Sequence, residues 1–282
     1  MFALAVLACS GDSTSGPVNQ PGLVLAFTQV TSLACKIELS SLAGQHHSLG
    51  KLCGYEVAWS PDGSRLAYLK EGGEAQEPSL WMVNADGTHA DSIPNGYAFA
   101  SPDWSPDGQQ LVAFSLLDGD LAVLNVDGSG AHVLTGSAGL TVNTRASWSP
   151  DGSSILFVRN DTLFQVDAVS GTAHMLDVPG LHGIVDPRWS PDGSRIAFIA
   201  PVAQLTAVYT MNADGSNLKP VVADEIDYAS WSPDGRSLVY SSLTAGGRDI
   251  FIFPSDGNGK PINLTNNQNG DLSLDPDWAR SR

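Results

Sequence analysis

Short apolar runs alternate along most of this chain with turns rich in Gly, Pro and Asp, and the alternation itself repeats. Trp-Ser-Pro-Asp-Gly stands at 59–63, 104–108, 148–152, 189–193 and 231–235, with an eroded sixth copy at Pro276-Asp277-Trp278-Ala279-Arg280. Successive Trp residues are 45, 44, 41, 42 and 47 positions apart. Each full copy leads into an apolar run, such as Arg65-Leu66-Ala67-Tyr68-Leu69 or Arg195-Ile196-Ala197-Phe198-Ile199. A second run follows and ends in a turn, as in Leu80-Trp81-Met82-Val83 before Asn84-Ala85-Asp86-Gly87. A weaker run closes the unit, for example Val133-Leu134-Thr135. Each unit of about 43 residues therefore predicts four short strands, and no segment sustains a 3.6-residue period, so almost no helix is expected.

Four strands at this period describe a blade of a β-propeller. The pentapeptide suits the link between the innermost strand and the next: Pro presets φ, Gly accepts positive φ, and the preceding Trp fills the wedge between neighbouring blades. At the N-terminal end Leu23–Phe27, Cys35–Leu39 and His47–Leu49 read as second, third and fourth strands without a first. At the C-terminal end Asp275–Trp278 reads as a first strand with nothing after it. The two fragments complement each other. The expected fold is all-β: a six-bladed β-propeller of four antiparallel strands per blade, closed by one C-terminal strand plus three N-terminal strands, over residues 22–282.

Composition limits the function. The chain has 282 residues, 14 Lys+Arg against 30 Asp+Glu, and a formal charge of −16. That balance argues against nucleic acid, which needs a basic face. With 42% hydrophobic and only 16% charged residues it is not a disordered acidic chain either. Only six acids are Glu, and ten Asp residues sit in Asp-Gly pairs. Much of the charge is thus a by-product of turn chemistry.

Residues 1–9 hold a short apolar run ending in Val6-Leu7-Ala8-Cys9, which resembles the lipobox of a bacterial lipoprotein signal, with Cys9 as the lipid attachment site. Residues 10–21 are small and polar and read as a flexible tether. Two cysteines remain. A hairpin turn centred on Gly44 sets Cys35 opposite Cys53, so either a disulfide, favoured in an extracytoplasmic compartment, or two free buried thiols is expected.

The variable positions lie where the innermost strands line the central channel. Three residues before each Trp stand Glu56, Ser101, Arg145, Asp186, Tyr228 and Asp275; one residue before it stand Ala58, Asp103, Ser147, Arg188, Ser230 and Asp277. The candidate binding set is Glu56, Asp103, Arg145, Asp186, Arg188, Tyr228, Asp275 and Asp277. It reads either as an internally paired ring filling the channel mouth or as a ligand-facing site. Because none of these side chains fills the Trp wedge, neutralising Glu56, Asp186 and Asp275 is expected to leave the fold intact. His89, His132 and His174 fall near the outermost strands of successive blades, too far apart to share a metal. No nucleophile elbow, phosphate loop or Cys-x-x-Cys pair is present. No catalytic residue, metal or cofactor is expected.

The repeated Trp-Ser-Pro-Asp-Gly with Asn-Ala-Asp-Gly turns resembles the TolB-type six-bladed propeller, without that family's additional N-terminal α/β domain. Related blades also accompany peptidase domains in prolyl-oligopeptidase-type enzymes. Because the TolB propeller binds the peptidoglycan-associated lipoprotein, the resemblance implies a lipid-anchored envelope protein, facing the periplasm from the outer membrane. It would be a monomer acting as a scaffold for a protein or peptide partner, touching the membrane only through its anchor. Two other readings stand beside it: a propeller lyase or lactonase, and a calcium or sugar receptor using the acidic mouth.

Overall fold

The computed structural model describes residues 23–71, 78–136 and 145–279. Cys9, the lipobox and the tether segment lie outside the described residues.

The architecture is an all-β propeller whose blades are four-stranded antiparallel sheets. The first strands among the described residues are β1 (Leu23–Val30), β2 (Cys35–Ser41) and β3 (His46–Ser48). Four sheets follow in order: β4–β7 (Tyr55–Trp59, Arg65–Lys70, Ser79–Asn84, Asp91–Tyr97); β8–β11 (Phe99–Trp104, Gln110–Ser115, Leu121–Asn125, His132–Val133); β12–β15 (Ser147–Trp148, Ser154–Arg159, Thr162–Asp167, Ala173–Met175); and β16–β19 (Val185–Trp189, Arg195–Val202, Leu205–Asn212, Lys219–Asp224). The chain ends with β20–β23 (Ile226–Trp231, Ser237–Thr244, Gly247–Pro254, Ile262–Asn263) and β24 (Asp271–Trp278).

The sequence predicts six separate blades, and here the structure differs. Four sheets stand alone, and the remaining eight strands form one sheet in which β20–β23 and the set β24, β1, β2, β3 are joined. The joint is a short parallel pairing of Gly247 with Asp271 and Arg248 with Leu272. It forms because β24 starts early and because Gly247, at φ 142°, has no Cβ: one placed there would collide with the Asp271 carbonyl oxygen. Within this sheet the C-terminal strand β24 pairs antiparallel with the N-terminal strand β1, for example Leu25 opposite Trp278.

Six apolar clusters among the described residues lie where one strand set faces the next. In one, Trp104 packs on Ala58, Ala67 and Leu80 of the preceding sheet. This is the wedge role its size suggests. The second and third strands carry a stacked ring pair at matching places in three sets: Phe157 on Phe164, Phe198 on Tyr209 and Tyr240 on Phe251. Each pair faces across the ladder and contributes about 0.5–1.5 kcal/mol beyond its buried area. The innermost strands are neighbours in the order β24, β4, β8, β12, β16 and β20, and β20 lies beside β24 in turn. That arrangement brings six strand starts, far apart in sequence, into one place.

Candidate functional site

The ladder between first and second strands slips at one place in several sheets: between Tyr55 and Ala58, between Ala100 and Asp103, and between Val185 and Arg188. At each slip a non-glycine residue adopts the left-handed region. Glu56, Ser101 and Asp275 sit at φ 55° and Asp186 at φ 50°. This conformation is uncommon for such residues and must be held by surrounding bonds.

The holding bonds run from one strand set to the next. The Asp275 carboxylate accepts the Glu56 N–H at 3.1 Å. The Glu56 carboxylate accepts the Ser101 N–H at 2.6 Å and its hydroxyl at 3.1 Å. Two residues further along the same strands a second tier repeats the device. Asp277 accepts the Trp59 N–H and Asp103 the Trp148 N–H, each at 2.8 Å, and the Ser147 hydroxyl accepts the Trp189 N–H at 3.3 Å. Ser230 donates to Asp277 at 2.9 Å. Each carboxylate thus caps a backbone donor on its neighbour.

Of the channel charges Arg145, Asp186 and Arg188 are buried, and Glu56 and Asp275 are half-buried. Arg145 meets Asp275 at 2.6 Å and lies 4.2 Å from the centre of the Tyr228 ring. Arg188 donates to the Ala146 carbonyl at 3.2 Å and to the Tyr228 hydroxyl at 3.0 Å. Burial alone would weaken the Arg145 charge, but Asp275, Tyr228, Glu56 and Asp186 hold its pKa above the ordinary value. Burial pushes the Asp186 carboxyl above its usual range, with Arg145 and Arg188 pulling the other way. Burial also raises the Tyr228 phenol.

The structure therefore brings all eight candidates to the channel but divides them. Glu56, Arg145, Asp186, Tyr228 and Asp275 form the inner tier. Asp103, Arg188 and Asp277 line a cavity of about 60 Å³ on the pentapeptide side, with Ser147, Ser230 and five Trp residues. Glu56 and Asp275 bond the backbone of the adjoining strand set, a role apart from the Trp wedge that bears on the expectation that neutralising Glu56, Asp186 and Asp275 leaves the fold intact. Sequence reasoning gave Trp59, Trp148, Trp189 and Trp278 only a wedge role. Their indole N–H groups, buried at the mouth, have no acceptor among the described residues, whereas Trp104 and Trp231 donate to the Ala58 and Arg188 carbonyls.

Cys35 and Cys53 are joined by a disulfide, with Cα atoms 5.0 Å apart. The hairpin beside it differs from the expected register. Ser40 faces His46, so the turn centres on Ala43. Gly50 and Lys51 then loop out between the Leu49 N–H to Ile37 carbonyl bond and the Ile37 N–H to Leu52 carbonyl bond, and this returns Cys53 to Cys35. His132 and His174 are exposed on β11 and β15, and among the described residues no group of three or more His, Cys, Asp or Glu could hold a metal.

The profile of the TolB beta propeller domain family, PD40, matches residues 15–179. Over 200 residues the chain is 31% identical to the Bacillus subtilis (strain 168) protein described as "Uncharacterized peptidase YuxL", covering 65% of this chain and 28% of that protein's length. The solved structure of TolB from Acinetobacter baumannii matches with a TM-score of 0.81 at 19% identity, over 92% of this chain and 66% of TolB. An oligogalacturonate lyase from Vibrio parahaemolyticus matches with a TM-score of 0.56 at 16% identity, over 86% of this chain and 73% of that one. At these identities the structural likeness speaks for the fold.

Proposed function

The chain belongs to the TolB beta propeller domain family, and from that premise we propose that it is a lipid-anchored envelope protein. Its propeller is a rigid scaffold that receives a protein or peptide at the channel mouth. In this reading the eight-stranded sheet counts as two blades, β20–β23 and β24 with β1–β3, which makes six. Cys9 carries the lipid, and the Cys35–Cys53 disulfide suits an oxidising compartment outside the cytoplasm.

One observation carries the binding reading. The mouth cavity holds about 60 Å³, room for two waters or the tip of one side chain. It is walled by Trp residues, with Asp103, Arg188, Asp277, Ser147 and Ser230 completing the lining. Aromatic anchors around a small pocket suit a projecting peptide residue. The lyase, lactonase and calcium or sugar readings need carboxylates directed at a ligand, and here Glu56, Asp103, Asp275 and Asp277 are directed at backbone donors.

The test is a photo-crosslinking residue placed at Ser147 in the mouth or at Val169, which is 92% exposed on the rim. In native envelopes the Ser147 probe should capture one defined partner and the Val169 probe none. Capture at Val169 alone would refute the mouth. Labelling with palmitate, present in the wild type and absent in Cys9→Ser, tests the anchor separately.

A further inference from the structure

The two faces of the propeller expose different chemistry. Within a blade each strand reverses the last, so the pentapeptide turns and the turns between third and fourth strands share one face. Nine of the ten Asp-Gly pairs stand there, and Asp118-Gly119 is the exception. The opposite face carries the hairpins between second and third strands and the connections into the next innermost strand. Of the eleven exposed large apolar side chains among the described residues, six are on this opposite face: Leu33, Tyr97, Leu116, Leu117, Leu205 and Leu243.

Tyr97, Leu116 and Leu117 make its densest part. The tip between β9 and β10 reads Ser115-Leu116-Leu117-Asp118-Gly119-Asp120. Hairpin tips favour Gly, Asn and Asp, and the tip between β13 and β14 obeys with Asn160 and Asp161, both at positive φ. Leu117 is 71% exposed and adds little to any core. The tip is nonetheless fixed in place. The Ser115 N–H bonds the Asp120 carbonyl at 2.8 Å, and the Gly119 N–H bonds the Ser115 carbonyl at 3.0 Å. The Leu116 N–H bonds the Ala98 carbonyl at 2.8 Å, which sets the tip beside Tyr97, itself 62% exposed. Two leucines and a tyrosine on this bonded frame form a pre-ordered patch on the order of 300 Å², a size that marks interaction sites.

The patch has acidic surroundings. Glu71, Asp118 and Asp161 are exposed at the second-to-third hairpins of three successive sheets. The cations described at those hairpins are engaged: Lys70 lies 3.7 Å from the centre of the Trp81 ring, and Arg159 faces Asp120 at 3.8 Å. The Leu243 tip repeats the pairing, since its N–H bonds the carbonyl of exposed Glu225 at 3.3 Å.

We propose that this face, centred on Tyr97, Leu116 and Leu117, docks a protein segment that carries Lys or Arg beside apolar side chains. Charge decides among the occupants. A second copy would set the same acids of two −16 molecules against each other, and an anionic bilayer would be repelled as well. A basic amphipathic helix meets the leucines with its apolar side and the acids with its cations. The site stands apart from the channel mouth, which opens on the pentapeptide face, so either can fail alone.

The probe is a fluorescein-labelled 14-residue helix of Leu and Lys only, titrated with the full chain at about 0.15 M salt and read by anisotropy. It should bind with a Kd on the order of 10 µM. A Gln and Lys peptide of equal charge should bind at least ten-fold more weakly, which separates docking from attraction to the Asp-Gly turns. Tyr97→Ser combined with Leu117→Ser should weaken the Leu and Lys peptide at least ten-fold. Leu42→Ser combined with Val169→Ser, also exposed but on the pentapeptide face, should leave it unchanged. All four positions are exposed, so both variants keep the fold, which matching melting curves verify. Undiminished binding by the Tyr97 and Leu117 variant, an equal loss in the Leu42 and Val169 variant, or no binding of the probe at roughly 1 mM would overturn the proposal. So would retention of the Cys9→Ser chain on phosphatidylglycerol vesicles, or a dimer that the Tyr97 and Leu117 variant dissolves.

Discussion

Aspartates at the outer turns and aspartates in the channel look alike in the sequence and behave oppositely in the fold. In the Trp-Ser-Pro-Asp-Gly turns the carboxylate serves its own loop. Asp151 accepts from Ser149, from the Ser153 N–H and from the Ser153 hydroxyl, all within 2.9 Å, and Asp192 and Asp62 do the same in theirs. In the channel the carboxylate serves another part of the chain. Asp103 reaches Trp148, 45 positions on, and Asp277 reaches Trp59, 218 positions back. The first group makes each turn, and the second group holds one strand set to the next. Glu56, Asp103, Asp275 and Asp277 are thereby engaged with the backbone of another strand set.

The largest effect should come from removing a whole stitched strand. Deleting residues 272–282 takes away most of β24 with its pairing to β1 and the Asp275 and Asp277 bonds to β4. The truncated chain should fail to show a cooperative melt, and a melt like that of the full chain would remove β24 from the account. Next, Asp277→Ala should destabilise by about 2–3 kcal/mol, since it strips a charged acceptor from the Trp59 N–H and the Ser230 hydroxyl. Denaturant titration measures it. Asp151→Ala, confined to one solvated turn, should cost about 0.5–1 kcal/mol in the same titration, which keeps the two classes apart. A loss at Asp151 equal to that at Asp277 would erase the distinction.

Acid sharpens the comparison from the other side. Hydrogen bonds from Ser190 and Ser194 hold Asp192 at about 2, and hydrogen bonds from Ser60 and Ser64, against some burial, do the same for Asp62. Asp86, Asp107, Asp127, Asp151, Asp214, Asp234 and Asp256 are lowered as well, mainly by bonds from their own turns. A carboxyl with a depressed folded pKa contributes stability above its unfolded value near 4, and that contribution is lost as pH falls through the folded value. Asp186, raised by burial, has the opposite sign: its contribution falls as pH rises through its folded value. The turns outnumber it, so melting temperature should fall between about pH 4 and pH 2. A flat profile across that window would mean that the turn bonds contribute little.

Much of this fold is legible in the sequence because its determinants are local. The pentapeptide names its own turn, and the alternating runs name the strands. The position of β24 beside β1 is readable too, since a lone first strand and three unled strands complete each other. Four features escape such reading. The parallel joint at Gly247 depends on how far β24 extends, which no turn residue marks. The slip at Glu56, Ser101, Asp186 and Asp275 uses no glycine, so its left-handed backbone leaves no trace in composition. The hairpin register at Cys35 is set by a second loop at Gly50 and Lys51, and the turn alone misplaces it by two positions. The partners of the channel acids lie a full repeat away and become visible only when the strand starts are brought together.

Amide hydrogen exchange at Trp59 and Trp148 tests the stitching most directly. In Asp277→Ala the Trp59 amide should lose protection while Trp148 keeps it, and in Asp103→Ala the pattern should reverse. Equal loss at both amides in either variant, or no loss at either, would contradict the claim that each channel carboxylate holds its own neighbouring strand.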